Sequence, residues 1–341
     1  MKKIVENFSP SWFASVMGTG ILAITSKSYS SYLPFLNFLA DFLFYFNIAL
    51  FFVLLFPWTL RWIICTKRSL DDLYHPITSN FYATIAIGML VLSADFFVIG
   101  GNAKLGTIFW FCGMILTIFF SFLTPFIVFS GEHVKIDHIN PAWFIPPVGL
   151  IVIPIAGSMV MNNTSGVMKE LITILNYFGW GSGFFLYISL HAISMYRFIL
   201  HRPLPNILAP TIWINLGPIG AGTVSLINLV KYSDFVQSKD IFFKFGFIFW
   251  SFGLWWFGMA VIMILFYMKR FKLPFALSWW AFTFPLGAYV AASHTLSIIF
   301  KMKLVDYIGF SMYWLLLMIW TITFITTLKH SIKGSLFGQG G

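Results

Sequence analysis

Apolar blocks of about 20 residues or more recur from one end of this 341-residue chain to the other, and nothing else limits its folding so tightly. A block of that length crosses a ~30 Å hydrocarbon core as a helix, and only helices and closed barrels satisfy their backbone groups inside lipid. The blocks fall at 10–27, 36–64, 76–100, 104–130, 141–161, 169–199, 205–230, 241–268, 274–298 and 304–327. They predict an all-α integral membrane protein with one membrane domain, 1–341, of ten transmembrane helices.

Composition excludes the other classes. Only 9% of the residues are charged, against about 25% in soluble domains. The chain is 20% aromatic, whereas disordered chains are aromatic-poor. A net charge of +10 would suggest nucleic acid in a soluble protein. Here the basic residues sit in short loops, where they orient helices and meet anionic headgroups, so no nucleic-acid partner is expected.

Those residues set the topology. Arg61, Arg68, Arg197, Arg202 and Arg270, all the arginines of the chain, fall at one end of the helices with eight lysines. Eight further lysines, Lys27 and Lys104 among them, lie at the other end. The positive-inside rule then puts both termini in the cytoplasm of a multi-pass plasma or inner membrane protein. The first block lacks a clear cleavage site and is expected to be a retained span rather than a signal peptide. Cys65 and Cys112 are isolated in apolar runs and form no metal or disulfide motif.

A repeat runs through the blocks. Pro10, Pro76, Pro141, Pro210 and Pro274 open the odd-numbered helices at spacings of 66, 65, 69 and 64. The even helices carry an aromatic echo: Phe44-Tyr45-Phe46, Phe109-Trp110-Phe111, Tyr177-Phe178, Phe249-Trp250 and Tyr313-Trp314. This is the signature of five helical hairpins. Each hairpin enters and leaves on the same face, so all five are parallel repeats around a central axis. Counted over 10–27, 76–100, 141–157, 205–222 and 274–287, the odd helices hold 21 Gly and Pro in 92 residues; over 36–65, 104–130, 169–199, 241–268 and 304–327, the even helices hold 11 in 140. Irregular backbone is tolerated only against protein or water, so the odd helices should line a central pore and the even ones face lipid.

Ionisable groups avoid the middle of the blocks. Asp41, Asp95 and His294 read toward the outer ends, Glu132 and His191 toward the inner side. A coupled carrier usually needs a midplane relay, which favours a passive pore and leaves a proton-coupled exporter as the alternative. Hydroxyls and backbone must then supply polarity. Candidates are Ser15, Thr19, Thr84, Thr211, Thr223 and Ser278, although each hydroxyl taken singly is expected to bond its own helix. Pore-lining candidates are Ser15, Gly18, Thr19, Gly88, Gly149, Gly217, Gly220, Ala281 and Ala288, with helix kinks at Pro147, Pro218 and Pro285. On the ninth helix one ring, Phe284, stands on a stripe of Leu277, Ala281, Ala288, Ala291 and Thr295. A bulky ring in a narrow apolar channel can occlude it.

A membrane-embedded enzyme is a remote alternative. It needs clustered His, Asp or Glu, and the histidines are scattered. Gly179-Trp180-Gly181-Ser182-Gly183 lies inside an apolar helix and reads as a packing surface, not a nucleotide loop. No cofactor or metal is expected.

Two strings, Pro10-Ser11-Trp12-Phe13 with Met17-Gly18-Thr19-Gly20, and Ser278-Trp279-Trp280-Ala281-Phe282-Thr283-Phe284-Pro285, resemble the tellurite-resistance/dicarboxylate transporter family. That family includes malate permeases, sulfite exporters and the slow-type guard-cell anion channels. The resemblance implies five hairpins around a pore, a homotrimer with one pore per subunit, and a pore-blocking phenylalanine, here Phe284. It implies as substrate a small anion, either a C4-dicarboxylate such as malate or an inorganic anion such as chloride, nitrate or sulfite.

Overall fold

The computed structural model describes residues 2–131 and 134–338. Glu132 lies outside the described residues. Among them every regular element is helical. Ten long stretches follow one another: α1 (10–28), α2 (Phe35–Ile64), α3 (Thr78–Val98), α4 (Ala103–Ser130), α5 (Pro141–Asn162), α6 (Gly166–Leu200), α7 (Asn206–Lys231), α8 (Asp240–Arg270), α9 (Leu277–Phe300) and α10 (Lys303–Ile332). All but α1 are long and apolar enough to cross a membrane, nine among the described residues. In α1 the apolar run is broken by Ser11, Ser15, Thr19, Thr25, Ser26 and Lys27.

Two short helices that the apolar pattern does not reveal, Lys2–Glu6 and Thr66–Tyr74, precede α1 and α3. The second is anchored by an ion pair between Arg61 and Asp72 and by the Tyr82 hydroxyl, which donates to the Ser69 carbonyl at 2.6 Å.

The odd helices share a construction that the even ones lack. Each opens as a 3-10 turn and then becomes α-helical: Pro10–Phe13, Thr78–Tyr82, Pro141–Phe144, Asn206–Asn215 and Leu277–Phe282 lead into Ala14, Ala83, Ile145, Leu216 and Thr283. The five spaced prolines stand inside or just before these turns. A fixed φ and a missing N–H suit the start of a helix.

Pro147, Pro218 and Pro285 do not kink their helices in mid-span. Each is the third residue of the α-helical part of α5, α7 or α9. A first-turn amide is not needed for the α-type ladder, so these prolines mark the change from 3-10 to α. The interior prolines of α-helical segments are Pro57, Pro125 and Pro154, two of them in outer helices.

Packing separates two layers. α1 packs on α3, α3 on α5, α5 on α7, α7 on α9, and α9 back on α1. Each even helix leans on the odd helix before it and on the next one round. The most apolar windows of α3, α5, α7 and α9 are 72–89% buried, those of the even helices 22–33%. Large rings such as Phe38 and Phe129 therefore stand exposed on the outer layer, where lipid is the solvent.

Polar ties hold the layers in register. The indole of Trp110 on α4 donates to the Ile153 carbonyl of α5 at 2.9 Å, and Trp180 on α6 to Gly222 of α7 at 3.0 Å. Trp250 on α8 donates to the Ser293 hydroxyl of α9 at 2.9 Å. Of the glycine-rich run of α6, Gly179 and Gly183 press on α5 backbone at Leu150 and Pro147, while Gly181 faces open space.

Candidate functional site

The five changes from 3-10 to α surround a cavity of about 40 Å³, room for a few waters. Every odd helix contributes within roughly a turn of its own junction. α1 gives Ala14 and Met17, α3 gives Phe81, Thr84 and Ile87, and α5 gives Ile145 and Val148. α7 gives Ile214 and Gly217, and α9 gives Leu277, Ser278, Trp280, Ala281, Phe284 and Pro285. None of these side chains is ionisable. Phe284 is 4% exposed, so its ring occupies the wall rather than leaving an open passage.

The two hydroxyls of the lining are engaged with backbone. Thr84 donates to the carbonyls of Pro10 at 2.8 Å and Phe81 at 2.7 Å, the first bond crossing from α3 to α1. Ser278 donates to Ile207 at 2.6 Å, crossing from α9 to α7. Both hydroxyls keep lone pairs, while their protons hold the ring together. An apolar wall of this width disfavours water and a hydrated ion until a side chain moves.

The structure brings six of the candidate residues together here: Thr84, Gly217, Ser278, Ala281, Phe284 and Pro285. The other pore-lining candidates stand outside this cavity. Ser15 donates to the Trp12 carbonyl, and Thr19 accepts from Trp320. Gly18 packs on Thr283 and Trp280, Gly88 on Val16, and Gly149 on Thr117 and Ile87. Gly220 lies against the backbone of Ala288 and Tyr289, which places Ala288 in the α7–α9 contact. These glycines let helices approach closely. Thr211 and Thr223 bond the Leu208 and Ile219 carbonyls of their own helix.

Apolar members of the lining, such as Met17, Ile87, Ile145, Val148 and Ile214, carry no signal in a sequence that is 59% hydrophobic. They share nearness to the change from 3-10 to α, which the prolines mark only loosely: Ile214 still lies in its 3-10 turn, whereas Met17, Ile87, Ile145 and Val148 follow theirs.

Ionisable groups lie away from the cavity. Asp95 is fully buried between α2 and α3 and accepts from the Asn47 amide at 3.3 Å. His191 is enclosed by the rings of Phe144, Tyr187, Phe252 and Trp256. At the other end of α9 from Phe284, His294 meets Asp306 at 2.9 Å, and the Tyr32 hydroxyl donates to the same carboxylate. That bond pushes the Tyr32 phenol up to about 12. Among the described residues no three His, Cys, Asp or Glu come together to hold a metal.

The voltage-dependent anion channel family model, SLAC1, matches residues 7–328. The chain belongs to this family. It is 58% identical to an uncharacterized transporter of Methanocaldococcus jannaschii over 98% of this chain and 96% of that one. Similarity extends to a sulfite efflux pump of Arthroderma benhamiae, 27% identical over 98% of this chain and 93% of the pump. It also reaches a malic acid transport protein of Schizosaccharomyces pombe, 23% identical over 91% of this chain and 74% of the relative. As a SLAC1 member the chain is a membrane-integral anion channel or transporter for small anions, and the resemblance carried by the α1 and α9 strings is to the same family.

Proposed function

We propose that small anions cross the membrane along the axis of the odd-helix ring and that Phe284 closes the path. The observation that carries this reading is the cavity to which all five odd helices contribute, with the Phe284 ring in its wall. With α1 counted as a span there are ten crossings in five parallel hairpins, both ends cytoplasmic, in the plasma or inner membrane. The substrate class is that named by the relatives, small oxyanions such as sulfite or C4-dicarboxylates such as malate. Assembly as a homotrimer, one path per subunit, carries over from the family resemblance. The absence of ionisable groups from the lining supports passive conduction, and selectivity for anions would come from basic mouths and from backbone amides near the junctions.

The test is flux in liposomes holding the purified chain, with the anion varied. Phe284→Ala should raise flux by removing the ring against which hydration competes. Reversal potentials that follow the cation gradient would sink the anion reading. Unchanged flux in folded Phe284→Ala protein would sink the gate.

A proton-coupled exporter is the second reading, favoured by Asp95. A buried carboxyl inside a membrane helix is costly and commonly serves proton movement, and neither Asp95 Oδ1 nor Asn47 Oδ1 has a partner among the described residues. Transport that needs a pH gradient, and loses that need in Asp95→Asn, would decide for it.

A further inference from the structure

A groove of about 290 Å³ opens on the outer layer, between the ends of α6 and α8 that carry the arginines. Its floor and one wall are hydrocarbon: Trp255, Trp256, Met259, Met263 and Ile199. Its far end is basic: Arg197, His201 and Arg202. Trp255 and Ile199 are exposed, so the groove faces the lipid side of the helices rather than the ring axis.

Arg197 is the anomaly. It is 1% exposed. One guanidinium nitrogen, Nη1, donates to the Arg202 carbonyl at 3.1 Å, and Nε has no partner among the described residues. Arg61, equally buried near the end of α2, also leaves Nε and Nη1 without a partner among the described residues, but it has the Asp72 carboxylate as a counter-charge of its own. The carboxylate whose charge acts on Arg197, Asp137, is already bonded by His201 at 2.6 Å and Arg202 at 3.0 Å. A buried guanidinium without a full counter-charge is expensive. Here it sits at the end of an apolar slot, beside two further cationic or protonatable groups.

We propose that this groove binds a lipid with an anionic phosphate headgroup. The phosphate oxygens would accept from the guanidinium groups of Arg197 and Arg202, charge-assisted bonds suited to a fork of donors. The acyl or alkyl chain would lie along Trp255, Met259 and Met263, where a free anion would leave the slot unfilled. Basic pockets between membrane helices at the cytoplasmic face commonly hold such headgroups. The site is separate from the Phe284 cavity and does not depend on how anions cross.

The experiment uses the purified full chain in neutral detergent and phosphatidylglycerol as the probe, followed by native mass spectrometry and thermal unfolding. Phosphatidylcholine and inorganic phosphate are the comparison arms. Phosphatidylglycerol should be retained and should raise the midpoint, and phosphatidylcholine should do neither. Arg202→Gln should weaken retention about tenfold, the loss of one charge-assisted contact. Met259→Trp should abolish it by filling the slot. Asp137→Asn should strengthen it, because Arg202 and His201 are then released toward the phosphate. Arg202 and Asp137 are exposed enough that these variants test the site even if Arg197→Gln does not fold. Equal retention of the two lipids would overturn the proposal. So would protection by inorganic phosphate equal to that by lipid, which would make this a free-anion site. Variants that bind phosphatidylglycerol as the parent does would place the lipid elsewhere.

Discussion

The indole N–H of Trp320 donates to the hydroxyl of Thr19 at 3.1 Å, joining the last long helix to the first. It completes a series. Trp110, Trp180, Trp250 and Trp320 stand 70 residues apart, and each reaches from an outer helix to the inner helix that begins the next hairpin. α2 makes the corresponding reach to α3 with an amide, Asn47 to Asp95. In a membrane no hydrophobic effect drives one helix onto another, so buried polar ties and close packing carry the association.

Trp320→Phe should therefore loosen the closing contact between α10 and α1. The expected loss is about 0.5–1.5 kcal/mol, the net value of an ordinary hydrogen bond. Thr19→Val leaves the indole unpaired and should cost at least as much, and the double variant should cost less than the two losses added. Denaturant unfolding in micelles measures all three. Strict additivity would mean the two residues do not interact.

Phe282 and Phe284 should separate stability from flux. Phe282 is wedged between Trp213, 5.3 Å away and edge-on, and Trp279 at 6.0 Å. Phe282→Ala should behave as a core truncation, costing about 3–5 kcal/mol without opening the path. Phe284→Ala should cost less, because its ring borders a cavity, and should raise anion flux. The reverse pattern in paired unfolding and flux measurements would assign the gate to the wrong face of α9.

Gly220 and Gly181 make a second matched pair. A Cβ on Gly220 would run into the Ala288–Tyr289 backbone, which cannot swing aside, whereas nothing lies within 4 Å of one on Gly181. Gly220→Ala should destabilise by about 1–3 kcal/mol through overpacking. Gly181→Ala should be neutral or slightly stabilising, since Ala is the better helix former. Midpoints of thermal unfolding would check both.

Acid should weaken one loop contact in a defined window. Bonds from His201 and Arg202 hold the Asp137 carboxyl down to about 2, from an ordinary 3.8. The folded-state value lies below the unfolded one, so this contribution is complete above about pH 4 and disappears as pH falls through about 2. Asp137→Asn removes it at every pH. The parent's stability advantage over the variant, measured by unfolding, should vanish on acidification through that window. An advantage that persisted below it would mean the ion pair is not its source.

Sequence alone determined the class of this protein. Lipid forbids unsatisfied backbone, so long apolar blocks had to be helices, and proline at a regular spacing marked the starts of the odd ones. The α9 string around Phe284 was legible through its family resemblance, because among 42 phenylalanines a ring and a following proline mark a position only weakly. What tertiary structure decided was which small residues serve packing. Gly220 and Gly217 look alike in sequence, yet one meets a neighbouring backbone and the other borders the cavity, a difference set by rotation about the helix axis. The aromatic echo had the same ambiguity. Tyr177-Phe178 and Tyr313-Trp314 are prominent strings, and their hydroxyls do reach Ser233 and Ser26. The tie that repeats every 70 residues is instead made by indoles, here Trp180 and Trp320 outside those strings, which find acceptors only once the neighbouring inner helix is in place. Proline at the third α-helical position likewise reads as a kink from sequence. The turn before it is 3-10, so it is a junction.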